Sequence, residues 1–416
     1  MKRISFIMAM FALSLGNVFA ETHRENVVEI EGIYYILDSE HKTASVTFTD
    51  EAIETYMGIL NNNYSGDVTI PESVCYNNEI YDVTCISDNA FSDCSNLTSI
   101  TIPNTITSIG YGSFYGCDSL SAVYIKDIVA WLNISFTNQG SNPLSRAQHL
   151  YINGKEITEL VIPDSVTTIG NYAFESWSEL KSVTLGKSVT HIGKFAFALC
   201  YGLETISLND ALISIGDQAF FECNALTNIT IPNSVESIGI WAFGYSLGLM
   251  SVKLGNSIKS IGMSAFNGCS ALTDINIPHS VTTIDRGAFC ACFSLSRVTI
   301  PESVTSIGES AFKFCEAITD VYALRSDVAN YNAHSRAFEY NDVKNTILHV
   351  PAGCKDSYSN TLPWSNFETI LDDASTTSIC NPEENKEISY SDLQGRRLTA
   401  EPQHGVFIKD GKKVMK

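Results

Sequence analysis

The cysteines are the residues through which this sequence could most readily perform chemistry. There are 12 of them, and thiols form disulfides, bind metals and act as nucleophiles. Seven stand three residues after a recurring phenylalanine: Cys94, Cys117, Cys200, Cys223, Cys269, Cys292 and Cys315. Other copies of that position hold Trp177 or Ser246. A position that accepts cysteine, tryptophan or serine serves packing, so the sequence predicts buried free thiols.

Other reactive groups lack the arrangement that chemistry requires. Cys75 and Cys85 lie in a predicted hairpin, and a disulfide between them stays an open alternative. No cysteine or histidine pair has the spacing of a zinc site, and the 8 histidines form no catalytic triad. Gly186-Lys187-Ser188 has Lys181 where a phosphate-binding loop would begin with glycine. We therefore predict no catalytic residue, no cofactor and no metal, and a protein that is not an enzyme.

A series of phenylalanines defines the elements that position these residues. It begins with Phe91 and Phe114, which are 23 residues apart. After one interruption it resumes with the same spacing at Phe174, Phe197, Phe220, Phe243, Phe266, Phe289 and Phe312. A fixed period of this length is typical of a solenoid, in which each repeat is one coil that buries its apolar side against its neighbours. We predict that the phenylalanines form the inner spine of the solenoid.

Each coil carries the same short apolar pattern. Leucine, isoleucine or valine stands six, nine and eleven residues after nearly every phenylalanine of the series. The alternation at the last two positions predicts a short strand, and copies of it in successive coils would pair in parallel. A glycine such as Gly239 follows the last isoleucine of most coils, with Asp285 and Ser87 as exceptions. We interpret this glycine as a corner with a left-handed backbone.

The sequence thus predicts a β-rich solenoid of 23-residue coils with parallel β-sheets, a β-hairpin cap at the N-terminal end and a small β module at the C-terminal end. The predicted divisions are a signal peptide (1–20), the β-rich cap (21–85), the solenoid (86–325) with modified coils and an insertion (126–160), a C-terminal cap (326–371), a linker (372–387) and the final module (388–416).

Charge and hydropathy narrow the range of partners. Lys2 and Arg3 precede an apolar run from Ile4 to Leu15, which is typical of a signal peptide. Its removal would change the formal charge from −20 to about −22. This excess of acid argues against nucleic acid and anionic membranes, since both bind basic surfaces. No later apolar run reaches the roughly 18 residues of a membrane span. We expect an exported chain that does not span a membrane after signal cleavage.

The repeated string Ala-Phe-x-x-Cys-x-x-Leu-x-x-Ile-x-Ile-Pro-x-Ser-Val-x-x-Ile-Gly resembles the BspA-like (Treponema pallidum type) leucine-rich repeat over about residues 65–325. The resemblance implies a right-handed solenoid, location at the cell surface and, in some members, adhesion to host extracellular matrix or to other cells. The tail from Tyr390 to Leu398, with Gly405-Val406-Phe407-Ile408, is similar to the C-terminal sorting module of secreted Bacteroidetes proteins, although it is shorter. It implies an outer-membrane-associated protein of a Gram-negative bacterium.

Two outward columns of side chains are candidate recognition surfaces. The first stands ten residues after each phenylalanine, on the outer face of the predicted strand, and includes Tyr124, Lys253, Asn276 and Tyr322. Its alternative interpretation is an ordinary solvated sheet surface. The second stands two residues before the phenylalanine and is aromatic in several coils: Tyr172, Phe195 and Trp241, with Phe221 and Tyr245 at nearby positions. An exposed aromatic strip indicates a binding patch, whereas the alternative is packing beneath a loop or against the corner.

The sequence favours a non-enzymatic cell-surface protein that recognises or adheres to another protein, such as a component of host extracellular matrix. A glycan-binding accessory protein of a surface polysaccharide system and a structural envelope protein stay as alternatives. An aromatic platform with nearby carboxylates would favour the glycan, and a broad polar strand face would favour the protein ligand.

Overall fold

A computed structural model describes residues 27–49 and 62–372 in full, together with the backbone of short strands at 53–55, 58–60, 390–391, 397–398, 406–409 and 412–415. The predicted signal peptide lies outside the described residues, and so does the predicted linker apart from residue 372.

The N-terminal region combines hairpins with the first coil of the solenoid. Its strands are β1 (Val27–Ile30), β2 (Ile33–Asp38), β3 (Thr43–Thr47), β4 (Ile53–Thr55), β5 (Gly58–Leu60), β6 (Ser65–Thr69), β7 (Ser73–Tyr76) and β8 (Glu79–Ile86). Strands β1, β2 and β3 form an antiparallel meander, and β3 then pairs in parallel with β8. In the β7–β8 hairpin Cys75 lies opposite Ile80, and both Cys75 and Cys85 are free thiols. The disulfide left open by the sequence is therefore not formed.

The next part of the chain contains two coils and the insertion. Its elements are β9 (Asn96–Thr101), β10 (Ser108–Ile109), β11 (Ala122–Ile125), helix α1 (Ile128–Leu132), β12 (Ser135–Phe136), a 3-10 turn (Gln139–Ser141), helix α2 (Leu144–Ala147), β13 (His149–Ile152) and β14 (Lys155–Ile157). The insertion thus folds as two short helices and the β13–β14 hairpin, and Trp131, Leu132 and Leu144 bury against the solenoid core.

The regular coils follow, each with a longer and a shorter strand. The longer strands are β15 (Glu159–Val161), β17 (Ser182–Thr184), β19 (Thr205–Ser207), β21 (Asn228–Thr230), β23 (Ser251–Lys253), β25 (Asp274–Asn276), β27 (Arg297–Ile300) and β29 (Asp320–Ala323). The shorter strands are β16 (Thr168–Ile169), β18 (His191–Ile192), β20 (Ser214–Ile215), β22 (Ser237–Ile238), β24 (Ser260–Ile261), β26 (Thr283–Ile284), β28 (Ser306–Ile307) and β30 (Asn332–Ala333).

The C-terminal end closes the array with one further turn of chain. Its elements are β31 (Ile347–Val350), helix α3 (Lys355–Ser359), a 3-10 turn (Trp364–Asn366) and β32 (Thr369–Asp372). Trp364, Tyr358 and Phe367 bury against the last coil. A separate antiparallel sheet is formed by β33 (Tyr390–Ser391), β34 (Arg397–Leu398), β35 (Val406–Lys409) and β36 (Lys412–Met415).

Parallel pairing with a shift of one coil builds two ladders of strands around one core, and the ladder of longer strands is interrupted between β19 and β21. Val252 lies opposite Ile275 in the ladder of longer strands, and Ile238 lies opposite Ile261 in the ladder of shorter ones. Both pairs are 23 residues apart, and their side chains point inward. The predicted fold class, a β-solenoid of leucine-rich coils with parallel sheets, is confirmed.

The phenylalanine series is the spine of that core. Phe243 and Phe266 stack with centroids 5.3 Å apart and planes 2° apart, and Phe266 and Phe289 stack at 5.5 Å. All three side chains are fully buried. The segment around each phenylalanine also bonds to the next coil, as where Phe243 N–H donates to the carbonyl of Ala265 at 2.8 Å. The stack continues past the regular series to Phe338, 26 residues after Phe312.

The repeated glycine does not have the predicted left-handed backbone. Gly239 has an ordinary φ, and a Cβ atom there would lie 2.5 Å from the backbone nitrogen of Asp217 in the preceding coil. Glycine is favoured at Gly239 because the preceding coil approaches closely, although Asp285 and Ser87 occupy the same position in other coils. The left-handed residues lie two before and two after the phenylalanine, as with Gln218 (φ 53°) and Glu222 (φ 57°) around Phe220.

The cysteine column is explained by bonds between coils. The Sγ atom of Cys269 donates to the carbonyl of Phe243 at 3.1 Å, and the hydroxyl of Ser246 donates to the carbonyl of Phe220 at 2.9 Å. Burial raises the pKa of Cys94 to about 12 and raises the pKa of Cys269 too. These thiols are therefore protonated at neutral pH and unsuited to nucleophilic chemistry. The prediction of buried free thiols in this column is confirmed.

We expect Cys269→Ala to lower the free energy of unfolding by about 1 kcal/mol, because it removes both packed volume and the bond to Phe243. Cys269→Ser should cost less, since serine already fills this position at Ser246. Urea denaturation of the two variants beside the native chain measures the difference. Equal stability of the alanine and serine variants would show that the thiol acts through volume alone.

Candidate recognition surface

The aromatic side chains that precede the phenylalanines lie on the corner where each coil turns. Tyr172 and Phe195 stack with ring centroids 5.3 Å apart and planes 10° apart. The ammonium group of Lys194 lies 5.2 Å from the ring centroid of Phe195. Tyr172 is half-buried against the core, and its carbonyl accepts a bond from Asn142 of the insertion at 2.7 Å. The first two members of the predicted column therefore form a contiguous pair beside the insertion.

The remaining predicted aromatics form a second cluster, which we call the corner cluster: Phe221, Trp241 and Tyr245. Trp241 and Tyr245 stack at 5.5 Å, and Phe221 meets both rings edge-on at 6.1 and 5.8 Å. Phe221 and Trp241 are half-buried, whereas Tyr245 is 44% exposed. Gln218 separates this cluster from the pair at Tyr172 and Phe195. Three rings in mutual contact thus face solvent on one corner.

Glycines in the same and the following coil make room for these rings. A Cβ atom at Gly244 would collide with the ring of Trp241, and one at Gly268 would lie 2.6 Å from Cδ1 of Tyr245. The rings of Trp241 and Tyr245 therefore pack directly on the backbone of these glycines. Tyr201 extends the surface, and its hydroxyl donates to Oε2 of Glu222 at 3.2 Å. Leu247 and Met250 are exposed nearby in the chain.

The backbone beneath the corner aromatics is unfavourable for large residues. Trp241 has φ 56°, Phe195 has φ 55° and Tyr245 has φ 55°. Non-glycine residues adopt this region rarely, and bulky ones more rarely still. Other coils place Gly287, Ser264 or Ser310 at the position of Trp241. Large aromatic rings therefore occupy positions that small residues fill at lower cost, and such outliers concentrate at functional sites.

The column that stands ten residues after each phenylalanine, which we call the strand-face column, is less uniform than predicted. Lys253 and Asn276 lie exposed on neighbouring strands β23 and β25. Tyr124 is half-buried and stacks on Tyr151 of the insertion hairpin at 4.8 Å. The expectation that Tyr322 faces solvent is wrong. It is only 9% exposed because His349 of the closing turn stacks on its ring at 4.2 Å.

Sequence counting missed a further aromatic pair on the corner. Phe314 and Tyr340 stack at 5.1 Å, and the Lys313 ammonium lies 5.1 and 4.7 Å from the two ring centroids. Tyr340 is 65% exposed. Both residues stand two after a spine phenylalanine, as Tyr245 does, and have positive φ. Aromatic residues at this position of the repeat could have been found in the sequence. Tyr340 was overlooked because Phe338 stands 26 residues after the preceding spine phenylalanine, outside the regular period.

One buried carboxyl adjoins the Tyr172–Phe195 pair. Glu175 is 2% exposed, and its Oε2 atom has no hydrogen-bond partner among the described residues. Burial raises the pKa of Glu175 to about 8. The indole nitrogen of Trp177, in the same coil, has no described partner either. The described residues hold no group of three or more His, Cys, Asp or Glu side chains that could bind a metal ion.

The stacked coils, the two ladders of parallel strands and the phenylalanine spine define a leucine-rich repeat solenoid. The chain belongs to the BspA-type leucine-rich repeat family, because the family model described as "BspA type Leucine rich repeat region (6 copies)" matches residues 72–142, 147–254 and 242–367. None of the helices in the described part of the chain is long and apolar enough to cross a membrane.

Solved structures of other bacterial proteins resemble the chain. A leucine-rich cell surface protein from Faecalibacterium prausnitzii is 26% identical, with 74% of this chain and 97% of that chain covered and a TM-score of 0.37. A leucine-rich repeat protein from Bacteroides ovatus is 24% identical, with coverages of 78% and 99% and a TM-score of 0.32. The leucine-rich repeat protein of T. pallidum is 19% identical, with coverages of 70% and 90% and a TM-score of 0.25. No curated protein matches the chain.

Proposed function

We propose that this protein is exported to the bacterial surface, associates with the outer membrane and binds another protein through the corner of its solenoid, without catalysing a reaction. The observation that carries the proposal is the corner cluster, in which Phe221, Trp241 and Tyr245 contact one another at a solvent-facing corner. Rigid aromatic side chains dominate the binding energy of protein interfaces because they bury much area at low entropic cost. Host extracellular matrix or the surface of another cell is the proposed target.

The strain at Trp241 and Tyr245 supports the same proposal. Each ring is held at a positive φ, which is common to this position in most coils and is filled elsewhere by smaller or polar residues such as Ser264, Gln218 and Glu222. Residues in sparsely populated backbone regions cost about 1–3 kcal/mol each. The glycines beneath the rings accommodate them without crowding. Because the positive φ recurs along the array, it is the choice of large aromatic rings at two neighbouring positions that is more readily explained by binding than by packing.

A glycan-binding role is the second candidate, and one contact favours it. Glu222, which follows Phe221, accepts a hydrogen bond from the hydroxyl of Tyr201 beside the cluster. Flat aromatic faces with a neighbouring carboxylate offer both stacking and hydrogen bonding to a sugar ring. The two candidates predict different ligands for the same corner. A purely structural role in the envelope predicts no ligand at all.

We expect the chain lacking residues 1–20 to bind an extracellular-matrix protein in a screen that also includes a glycan array. Trp241→Ser and Phe195→Ser together should then weaken binding at least tenfold, because aromatic anchors at interface centres contribute about 2 kcal/mol or more. Serine is chosen because Ser264 and Ser310 stand at the same position in other coils. Thermal melting checks that the fold is retained.

The matched control replaces the strand-face residues Lys253 and Asn276 by alanine. If the corner variant bound normally and the strand-face control lost binding, the binding site would lie on the sheet and not on the corner. Binding to glycans and to no protein would reject the protein-recognition proposal in favour of the second candidate.

A further inference from the structure

The first strand of the solenoid leaves one edge of its sheet without a described partner. The sheet runs in the order β14-β13-β11-β9-β6, so β6 is its last strand. Ile70 N–H donates to the carbonyl of Thr101, the last residue of β9, at 3.1 Å. Backbone N–H groups alternate in direction along a strand. Those of Asp67 and Thr69 therefore point to the opposite side, where the described part of the chain places no strand.

A groove of about 470 Å³ borders this open edge. It lies between β6 and the turn that joins β1 to β2, and residues of both line it. Three of the lining residues are acidic, namely Glu29, Glu31 and Asp67, and none is lysine, arginine or histidine. Glu29, Glu31 and Asp67 are all exposed. The groove therefore offers, along one side, backbone groups that have no partner among the described residues, and negative charge around its rim.

Hydrogen bonds fix the shape of the groove. The hydroxyl of Tyr64 donates to the carbonyl of Thr47 at 2.7 Å and accepts from Tyr34 N–H at 2.9 Å. The carboxylate of Asp67 accepts from the hydroxyls of Ser99 at 2.7 Å and Thr98 at 2.9 Å. These hydroxyls hold the pKa of Asp67 below its ordinary value. The groove is thus preformed, which lowers the entropic cost of filling it.

We propose that this groove binds an extended, lysine- or arginine-bearing segment of a partner protein, which adds a strand beside β6. The partner's backbone pairs with the outward N–H and C=O groups of Asp67 and Thr69, and its basic side chains face Glu29, Glu31 and Asp67. Strand addition of this kind draws affinity from main-chain hydrogen bonds and specificity from alternate side chains. The site lies at the N-terminal end of the array and is independent of the corner cluster.

The net charge of the chain argues against a second copy as the occupant. The formal net charge is −20 at pH 7. Two copies that meet at an acidic groove would repel each other, whereas a basic segment is attracted and steered to the site. Electrostatic complementarity therefore points to a basic partner.

The first test uses the full chain without residues 1–20 and a capped heptapeptide that alternates lysine with valine. Isothermal titration calorimetry should detect binding of this peptide and none of its counterpart with glutamate for lysine. Glu29→Gln with Glu31→Gln should weaken binding about tenfold, and added salt should reduce the difference. Equal binding of the lysine and glutamate peptides would overturn the charge assignment.

The second test addresses the backbone pairing. N-methylation of the lysine peptide at one alternate set of amides should abolish binding, and methylation at the other set should leave it within about threefold. Thr69→Pro removes the outward N–H and should abolish binding too, while Thr69→Ala serves as the control. Proline is tolerated on edge strands whose N–H faces solvent, and circular dichroism checks the fold.

Either of two results would reject the proposal. If both methylated peptides still bound as well as the unmethylated one, charge alone would attract the peptide. Dimerisation of the chain in analytical ultracentrifugation, abolished by Thr69→Pro without any peptide binding, would identify a second copy as the occupant.

Discussion

Replacing Phe266 by alanine is expected to lower the free energy of unfolding by about 3–5 kcal/mol. The ring of Phe266 is fully buried between those of Phe243 and Phe289, with centroid distances of 5.3 and 5.5 Å. Its loss would leave a cavity in the middle of the spine, and both neighbouring rings would lose a stacking partner. Aromatic pairs contribute about 0.5–1.5 kcal/mol each beyond the area they bury.

Guanidinium denaturation followed by circular dichroism measures this loss, and hydrogen exchange locates it. Because each coil contacts only its neighbours, exchange should accelerate first in the coils around residue 266. Asn276→Ala, an exposed change on β25 in the same coil, is the matched control and should stay within about 0.5 kcal/mol of the native chain. A Phe266→Ala variant as stable as this control would contradict the assignment of the spine.

Replacing Glu175 by glutamine is expected to make the stability of the protein less dependent on pH. The pKa of Glu175 in the folded chain is about 8, compared with an ordinary value of 4.5, because burial disfavours the charged carboxylate. The folded state therefore retains a proton that the unfolded state releases. Its favourable contribution is complete below about pH 4.5 and is lost as the pH rises to about 8. Glutamine does not titrate and escapes this loss.

The stability of the Glu175→Gln variant relative to the native chain should therefore rise by about 3 kcal/mol between pH 4.5 and pH 7, as one unit of pKa shift corresponds to 1.36 kcal/mol. Urea denaturation at a series of pH values measures the difference. Glu159→Gln, an exposed change on β15, is the matched control for the loss of one carboxyl group. A constant difference between Glu175→Gln and the native chain over this range would show that the buried carboxyl does not take up the proton.

The regular part of the fold could be predicted because its pattern is repeated and its causes are local. Phe266, Leu272 and Ile275 recur at fixed spacings, and the alternation of inward and outward side chains follows from strand geometry. Parallel pairing at a shift of 23 residues then follows from the repeat itself. The cysteine column was predicted as buried for the right reason, although its bond to the phenylalanine carbonyl of the preceding coil was not foreseen.

The errors arose where one coil touches another in ways that residue type does not reveal. Gly239 indicated a left-handed backbone, but close approach to Asp217 selects glycine there without any change in the sign of φ. Trp241 has the left-handed backbone instead, and tryptophan gives no sign of it. Tyr322 occupies an outward strand position, yet the closing turn covers it through His349. The covering of a strand residue by an irregular segment cannot be predicted from the repeat, because such a segment does not share its period.

The insertion of residues 126–160 also has a mechanical consequence. Sheet pairing stops at β12 on one side and at β14 on the other, and it begins again at β16 and β15. No backbone hydrogen bond joins residues 62–157 to residues 158–372 of the described chain. Side-chain bonds from Trp131 and Asn142 to the carbonyls of Tyr172 and Ala173, and one between Ser178 and Gln148, cross this boundary.

Hydrogen bonds between coils run along the axis of the array, so a pull on its two ends loads the coil interfaces in series. Only one ladder is interrupted between β19 and β21, whereas both stop at the insertion, so the array should yield there first. Under the proposed location at the cell surface, a chain pulled by shear would open at the insertion first, while the regular coils from β15 to β32 stay folded. Opening at the insertion would thus leave the coils that carry the corner cluster folded.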